Sequence, residues 1–252
     1  MTEFLRACYL ATVVVVIAVP ARADEQAEAR KIIDKAIKAH GGADALGKQP
    51  ATTTKFKGRY FGMGEGIDFT GSSAEQAPDR FRFEVSMTIA NQPFSIVQAL
   101  NGEKAWMSFN GKAMDLGKEH VVEMREGAHL HQVGRLVCLS GKEFKLSTLG
   151  EVKIDKRPTV GVQVQYAGRR DINLYFDKES GFIVKTETRS KDPAVGDQEF
   201  TLEMYHREYK KYGNVMVPQK VEIRHDGKLF VESETVEHTQ SDKLDDALFT
   251  KP

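Results

Sequence analysis

Along residues 80–89 apolar and polar side chains alternate without a break: Phe81, Phe83, Val85, Met87 and Ile89 share one parity, and Arg80, Arg82, Glu84, Ser86 and Thr88 the other. A period of two belongs to a β-strand with one dry face and one wet face, so Arg82 is expected to point to water. The same parity picks out Val160, Val162, Val164 and Tyr166, then Ile172, Leu174 and Phe176, then Phe200, Leu202 and Met204, and then Val221 and Ile223. Strands covered on both faces would read as continuous apolar runs, so the pattern predicts an antiparallel sheet that is wet on one side. Asn101-Gly102, Asn110-Gly111 and Asp226-Gly227 are candidates for type I′ hairpin turns, and Asp177-Lys178-Glu179-Ser180-Gly181 for a longer loop closed by a glycine at positive φ. The spacing yields roughly ten strands, consistent with a mainly β, α+β chain built on one highly curved antiparallel sheet or barrel.

Two segments break the period. Ala29, Ile32, Ile33, Ala36 and Ile37 recur at helical spacing with charged residues between them, and Gly41-Gly42 predicts where that N-terminal helix stops. Residues 118–139 carry Val121, Val122, Met124, Leu130, Val133, Leu136 and Val137 without alternation. This predicts one or two helices broken near Gly127, inserted between strands as a lid.

Residues 7–19 form an apolar run behind Arg6, ended by Pro20 and followed by Ala21-Arg22-Ala23 and the polar Asp24-Glu25. These are the marks of a secretory signal peptide over residues 1–23, cleaved after Ala23. The run is shorter than the roughly 20 residues a helix needs to cross a bilayer. The expectation is an exported chain, periplasmic in a two-membrane bacterium, whose residues 24–252 make a single domain. The chain holds 36 basic and 36 acidic residues. Loss of Arg6, Arg22 and Glu3 with the signal leaves a net charge of about −1, which offers no footprint for nucleic acid. Cys8 departs with the signal and Cys138 is left without a partner for an intramolecular disulfide.

Reactive constellations are sparse. There is no G-x-S-x-G elbow, H-E-x-x-H pair, phosphate-binding glycine loop or C-x-x-C. His129-x-His131, with His120 or Glu123, is the best metal candidate, but on a helix the two histidines point to different faces. Cys138 sits among Leu136, Val137 and Leu139 and reads as a small buried hydrophobe. No catalytic residue, metal site or cofactor is expected, and the chain is read as not an enzyme.

Residues 78–84, Pro-Asp-Arg-Phe-Arg-Phe-Glu, followed by Asn101-Gly102-Glu103-Lys104-Ala105-Trp106, resemble the strand-and-turn signature of the LolA/LolB-type periplasmic lipoprotein carriers. Residues 174–185 look like the strand, D-x-x-T/S-G, strand hairpin of that group, and residues 212–218 and 245–252 are similar to segments of its relatives. The resemblance implies an unclosed antiparallel half-barrel whose helices cover an apolar cavity that receives lipid or lipoprotein acyl chains.

The reading that follows is a periplasmic lipid- or lipoprotein-binding carrier or chaperone, with acyl chains as its ligand and an inner- or outer-membrane transport partner. Phe81, Phe83, Val85, Met87, Phe94, Ile96, Trp106, Leu174, Phe176, Phe182, Val184, Leu202 and Met204 are the expected cavity wall. Trp106 is placed there by alternation after the Asn101-Gly102 turn, with Ala105 and Met107 on the opposite face. The alternative is an envelope protein-interaction or sensor module that uses the same sheet as a scaffold and holds no lipid.

Overall fold

The computed structural model describes residues 20–48, 50–193, 196 and 198–251. The apolar run at residues 7–19 lies outside the described residues, and no described helix is long and apolar enough to cross a membrane. Two helices open the chain, α1 (Pro20–Ala39) and α2 (Ala43–Lys48). Six strands follow: β1 (Ala51–Tyr60), β2 (Ile67–Gln76), β3 (Arg80–Ile89), β4 (Gln92–Asn101), β5 (Lys104–Phe109) and β6 (Lys112–Met114). Helix α3 (Lys118–Gly134) and a 3-10 turn at Val137–Ser140 separate them from a second run. That run is β7 (Lys145–Ile154), β8 (Arg157–Gln165), β9 (Ile172–Asp177), β10 (Ile183–Lys191), β11 (Glu199–Tyr212), β12 (Val215–His225) and β13 (Lys228–Ser241).

Among the described residues there are 13 strands in one antiparallel sheet, in the order β6-β5-β4-β3-β2-β1-β13-β12-β11-β10-β9-β8-β7. Each run is a meander of neighbouring hairpins, and β1 pairing with β13 joins them, from Ala51 opposite Ser241 to Tyr60 opposite Val231. The sheet does not close: β6 and β7 are its two edges, and α3 is the chain that connects them. The result is one curved antiparallel sheet, as the alternation predicts, left unclosed as a half-barrel, as the resemblance implies. Curvature enters through bulges at Lys55/Phe56 and at Ile223/Arg224.

Hairpin turns account for the strands that sequence spacing undercounts. Asn110-Gly111 and Asp226-Gly227 have both central residues at positive φ, as type I′ requires. Ala90-Asn91 and Asp155-Lys156 do the same without glycine, which hides two hairpins from a search for Asn-Gly or Asp-Gly. At the first candidate turn Asn101 belongs to β4 and pairs with Lys104, so the loop is Gly102-Glu103.

Helix α1 buries Ala29, Ile33, Ala36 and Ile37 along one stripe. Its end is a Schellman cap, with Gly42 N donating to Ile37 O (2.8 Å) and Gly41 N to Lys38 O (3.3 Å). Only glycine fits at position 41, because φ is 127° and a Cβ would stand 2.3 Å from Asn214 O on the β11–β12 turn. The stripe packs on the second half of the sheet, against Leu146, Val162, Val164, Ile172, Leu174, Phe176 and Ile183, with Leu130, Val133, Leu136 and Leu139 closing the side.

Helix α3 is continuous through Gly127, contrary to the expected break. The reason is tethering on either side of the glycine. Glu123 pairs with Arg170 and Glu126 with Arg169 before it, and His131 pairs with Glu75 after it.

Candidate functional site

Residues directly opposite one another on neighbouring strands share a face, so the register sorts the side chains. One row runs Phe109, Ile96, Val85, Gly71, Phe56 and Thr235 across β5, β4, β3, β2, β1 and β13. The next runs Phe94, Met87, Phe69, Gly58, Ser233 and Val221. A third runs Val231, Ile223, Met204, Thr186, Leu174 and Val162 into the core beneath α1. All three lie on the face that carries the helices.

That face has two regions of different character. Over β7 to β10 it is a filled core: Leu174 and Phe176 are 0 % and 1 % exposed. Over β1 to β5 Phe83, Val85, Met87, Phe94 and Ile96 are only half-buried, and Phe109 is 39 % exposed. Met114 on edge strand β6 is 49 % exposed. These apolar side chains are contiguous in the register and lie outside the core beneath α1, forming an open trough on this half of the face.

Rings dominate its floor. Phe56 stacks on Phe83 (centroids 5.7 Å apart) and meets Phe69 edge-on (6.2 Å), while Phe81 lies parallel to Phe83 and against His131. Phe94 meets Phe109 edge-on at 4.9 Å. At the far end of the strands Phe200, His225, Phe230 and Tyr60 form a second run of contacting rings.

Polar groups gather where α3 meets the floor. His131 Nδ1 lies 3.1 Å from Glu75 Oε1. Burial alone would push the Glu75 carboxyl up, but the His131 and Arg135 charges outweigh it and hold it below the usual carboxylate range. His131 is the mirror case: burial would lower it, and Glu75 holds it above the ordinary histidine range. Arg135 donates to the carbonyls of Pro50 (2.7 Å) and Leu46 (3.1 Å). His206, which contacts the Thr186 hydroxyl, is pushed down to about 4 by burial and by the His40 and His131 charges.

No family model and no curated protein matches this sequence. Solved structures do match its shape. A LolA superfamily protein from Nitrosomonas europaea superposes with a TM-score of 0.57 at 12% identity, over 88% of this chain and 97% of that one. A putative outer membrane lipoprotein-sorting protein domain from Vibrio parahaemolyticus gives 0.53 at 12% identity, over 89% and 97%. A DUF1329 family protein from Desulfovibrio piger gives 0.56 at 9% identity, over 88% and 97%. The fold is LolA-like.

Within this LolA-like half-barrel the expected wall residues separate into groups. Phe81, Phe83, Val85, Met87, Phe94 and Ile96 come together on the trough. Leu174 and Phe176 share the face but are packed solid under α1, with Leu202 and Met204 at the margin of that core. Val184 is buried beside the irregularity between Ile183 and Lys185. Phe182 stacks on Tyr209 (4.3 Å) and meets His40 at the end of α1, so it docks the helix. Trp106 requires a correction: it pairs with Ala99, which pairs with Arg82, whereas Met107 pairs with Gln98 and through it with Phe83. Trp106 therefore stands on the face away from the trough; a two-residue loop at Asn101-Gly102 would have set it opposite Val97, which pairs with Glu84 on that same face, so the expectation fails on parity with either loop.

That opposite face is also not simply wet. Residues 242–251 cross it, with Phe249 fully buried, Asp246 paired with Arg80, and Arg82 donating to Leu248 O (3.4 Å). Arg82 is thus an anchor for the C-terminal segment. Elsewhere the face carries ion pairs such as Lys55–Glu237 and Lys185–Glu203.

Sequence reading missed Phe56, Phe69 and Phe109 as trough residues. On β1 and β2 the trough parity reads Thr54, Phe56, Gly58 and Phe69, Gly71, Ser73, where glycine and hydroxyl residues conceal the alternation. Of the reactive candidates, His129 faces Phe144 and Tyr166 while His131 faces Glu75, so they do not converge. Among the described residues no group of three or more His, Cys, Asp or Glu is placed to hold a metal ion. Cys138 donates to Gln132 O (3.4 Å), and burial pushes its thiol up to about 11, which keeps it protonated at neutral pH.

Proposed function

We propose that this chain is an exported lipid- or lipoprotein-binding carrier that shields acyl chains in the open trough over β1 to β5. One observation carries the reading: the helix-bearing face is filled in one half and left half-exposed in the other, with Phe83, Val85, Met87, Phe94, Ile96 and Phe109 side by side. A soluble sheet has no packing reason to leave such a run open, and large exposed apolar patches mark binding surfaces. Burying a methylene contributes roughly 0.8 kcal/mol, so about ten of them offer some 8 kcal/mol before association costs, with no charged clamp needed.

The LolA-like fold supports the same reading, since one neighbour is described as an outer membrane lipoprotein-sorting domain. On this reading residues 1–23 are a signal peptide removed after Ala23, and residues 24–252 work as one domain in the periplasm. Phe81, Phe83, Val85, Met87, Phe94 and Ile96 remain proposed ligand contacts, and Phe56, Phe69 and Phe109 join them. The test is native mass spectrometry of protein purified from the periplasm, together with titration by a fluorescent fatty acid. Co-purified lipid or saturable binding is expected; a lipid-free protein that ignores the probe would return the sheet to the interaction-scaffold reading.

A further inference from the structure

Two of the floor rings lie where a side chain of the neighbouring strand belongs. Phe56 on β1 is directly opposite Gly71 on β2, and Phe69 on β2 is directly opposite Gly58 on β1. A Cβ built on Gly71 would come 2.4 Å from Cε2 and 2.7 Å from Cζ of Phe56. One built on Gly58 would come 2.8 Å from Cζ of Phe69. No real Cβ tolerates such distances, so each ring occupies the volume that any other residue would claim. Neither glycine has a positive φ, so backbone conformation does not demand glycine at these positions.

The consequence reaches the third strand. Phe56 crosses over β2 at Gly71 and stacks on Phe83 of β3, with planes 20° apart and centroids separated by 5.7 Å. Phe83 in turn lies parallel to Phe81, at 8°. Rings on β1 and β3 can stack across β2 only because the residue between them has no side chain. Laid down in this way, they cover the backbone and leave the space above the sheet open.

We infer that Gly71 and Gly58 set the depth of the trough for its apolar ligand, by letting Phe56 and Phe69 lie along the sheet instead of standing into the space above it. The inference rests on the lipid-binding reading for its ligand. A side chain at 71 lifts Phe56 off Phe83 and into the volume an acyl chain would fill. Position 58 is the less useful probe, because its Cβ would also meet Glu232 O of β13 at 2.0 Å. Position 71 has a lesser version of the same complication, with Glu84 O at 2.6 Å, and the test must separate ring from backbone.

A double-mutant cycle separates them. Wild type, Gly71→Ala, Phe56→Leu and the Gly71→Ala/Phe56→Leu pair are titrated with cis-parinaric acid, and their melting temperatures are recorded. The expected result is at least a tenfold weaker affinity in Gly71→Ala and a loss at least fivefold smaller when the same change is made in Phe56→Leu. If Gly71→Ala does not fold, folding of the double variant with probe binding near that of Phe56→Leu is the equivalent outcome. Wild-type affinity in Gly71→Ala would overturn the inference, as would equal damage in both backgrounds, which would assign the glycine to the Glu84 carbonyl. Failure of the wild type to bind the probe at all would count against the lipid reading instead, and the melting temperatures would still report whether positions 56 and 71 are coupled.

Discussion

His131 on α3 places its Nδ1 3.1 Å from Oε1 of Glu75 on β2, tying the helix that joins the two sheet edges to the floor of the trough. The side chains are 39% and 18% exposed, so the pair is neither dry nor fully screened. Glu75 is held below its usual range, so its contribution is present above that range and lost as pH falls through the lowered value. His131 is held above its usual range, so its contribution is complete below that range and lost as pH rises through the raised value. Both are at full strength between about pH 4.5 and about pH 6.5. Glu75→Gln is expected to cost roughly 1–3 kcal/mol in urea unfolding near pH 5.5 and distinctly less at pH 8.5. An equal cost at both pH values would mean that the ionic contact contributes nothing.

The filled and open halves of the same face should respond differently to truncation. Phe176→Ala removes a ring that is 1% exposed and should cost about 3–5 kcal/mol. Phe83→Ala removes a half-buried ring from the trough; it should cost clearly less and weaken fatty-acid binding. Unfolding of Phe83→Ala to the extent seen for Phe176→Ala would show that the trough is core.

The sheet itself was legible because its period-two pattern is strong wherever one face is dry, as on β3 and β9. What the pattern could not separate was a face packed under a helix from one left open: Phe83 and Phe176 obey the same alternation and meet different surroundings. That difference is set by where α1 lands, and no local signal on β3 or β9 carries it. The expectation for Trp106 fails for a different reason: a two-residue loop at either Asn101-Gly102 or Gly102-Glu103 sets it opposite an odd-numbered residue of β4, on the face of Arg82 and Glu84, and an apolar ring alone does not mark the trough side. The break expected at Gly127 reflects propensity, which tertiary tethers on both sides override.

Gly127 offers a direct check on that last point. A Cβ at this position meets nothing within 4 Å, and its φ is not positive. Gly127→Ala should therefore stabilise the protein by about 0.5–1 kcal/mol, seen as a higher denaturant midpoint with unchanged slope. Destabilisation would show that α3 uses the glycine as a hinge.

Trp106 should report on the C-terminal segment's face and not on the trough. Its emission is expected to stay constant when a saturated fatty acid is added, and to change when Phe249, buried on that face, is replaced by Ala. A blue shift on fatty-acid addition would mean the ligand binds on the face opposite the one assigned.

The proposed location of the ligand is most directly tested by photo-crosslinking the purified protein with a diazirine fatty acid and mapping the modified peptides. Adducts are expected within residues 81–109, on Phe83, Met87, Phe94 or Phe109, with none on the β9 strand that carries Leu174 and Phe176. Adducts concentrated on β9, or on the charged face around Lys57 and Lys220, would contradict the assignment of the open trough as the binding site.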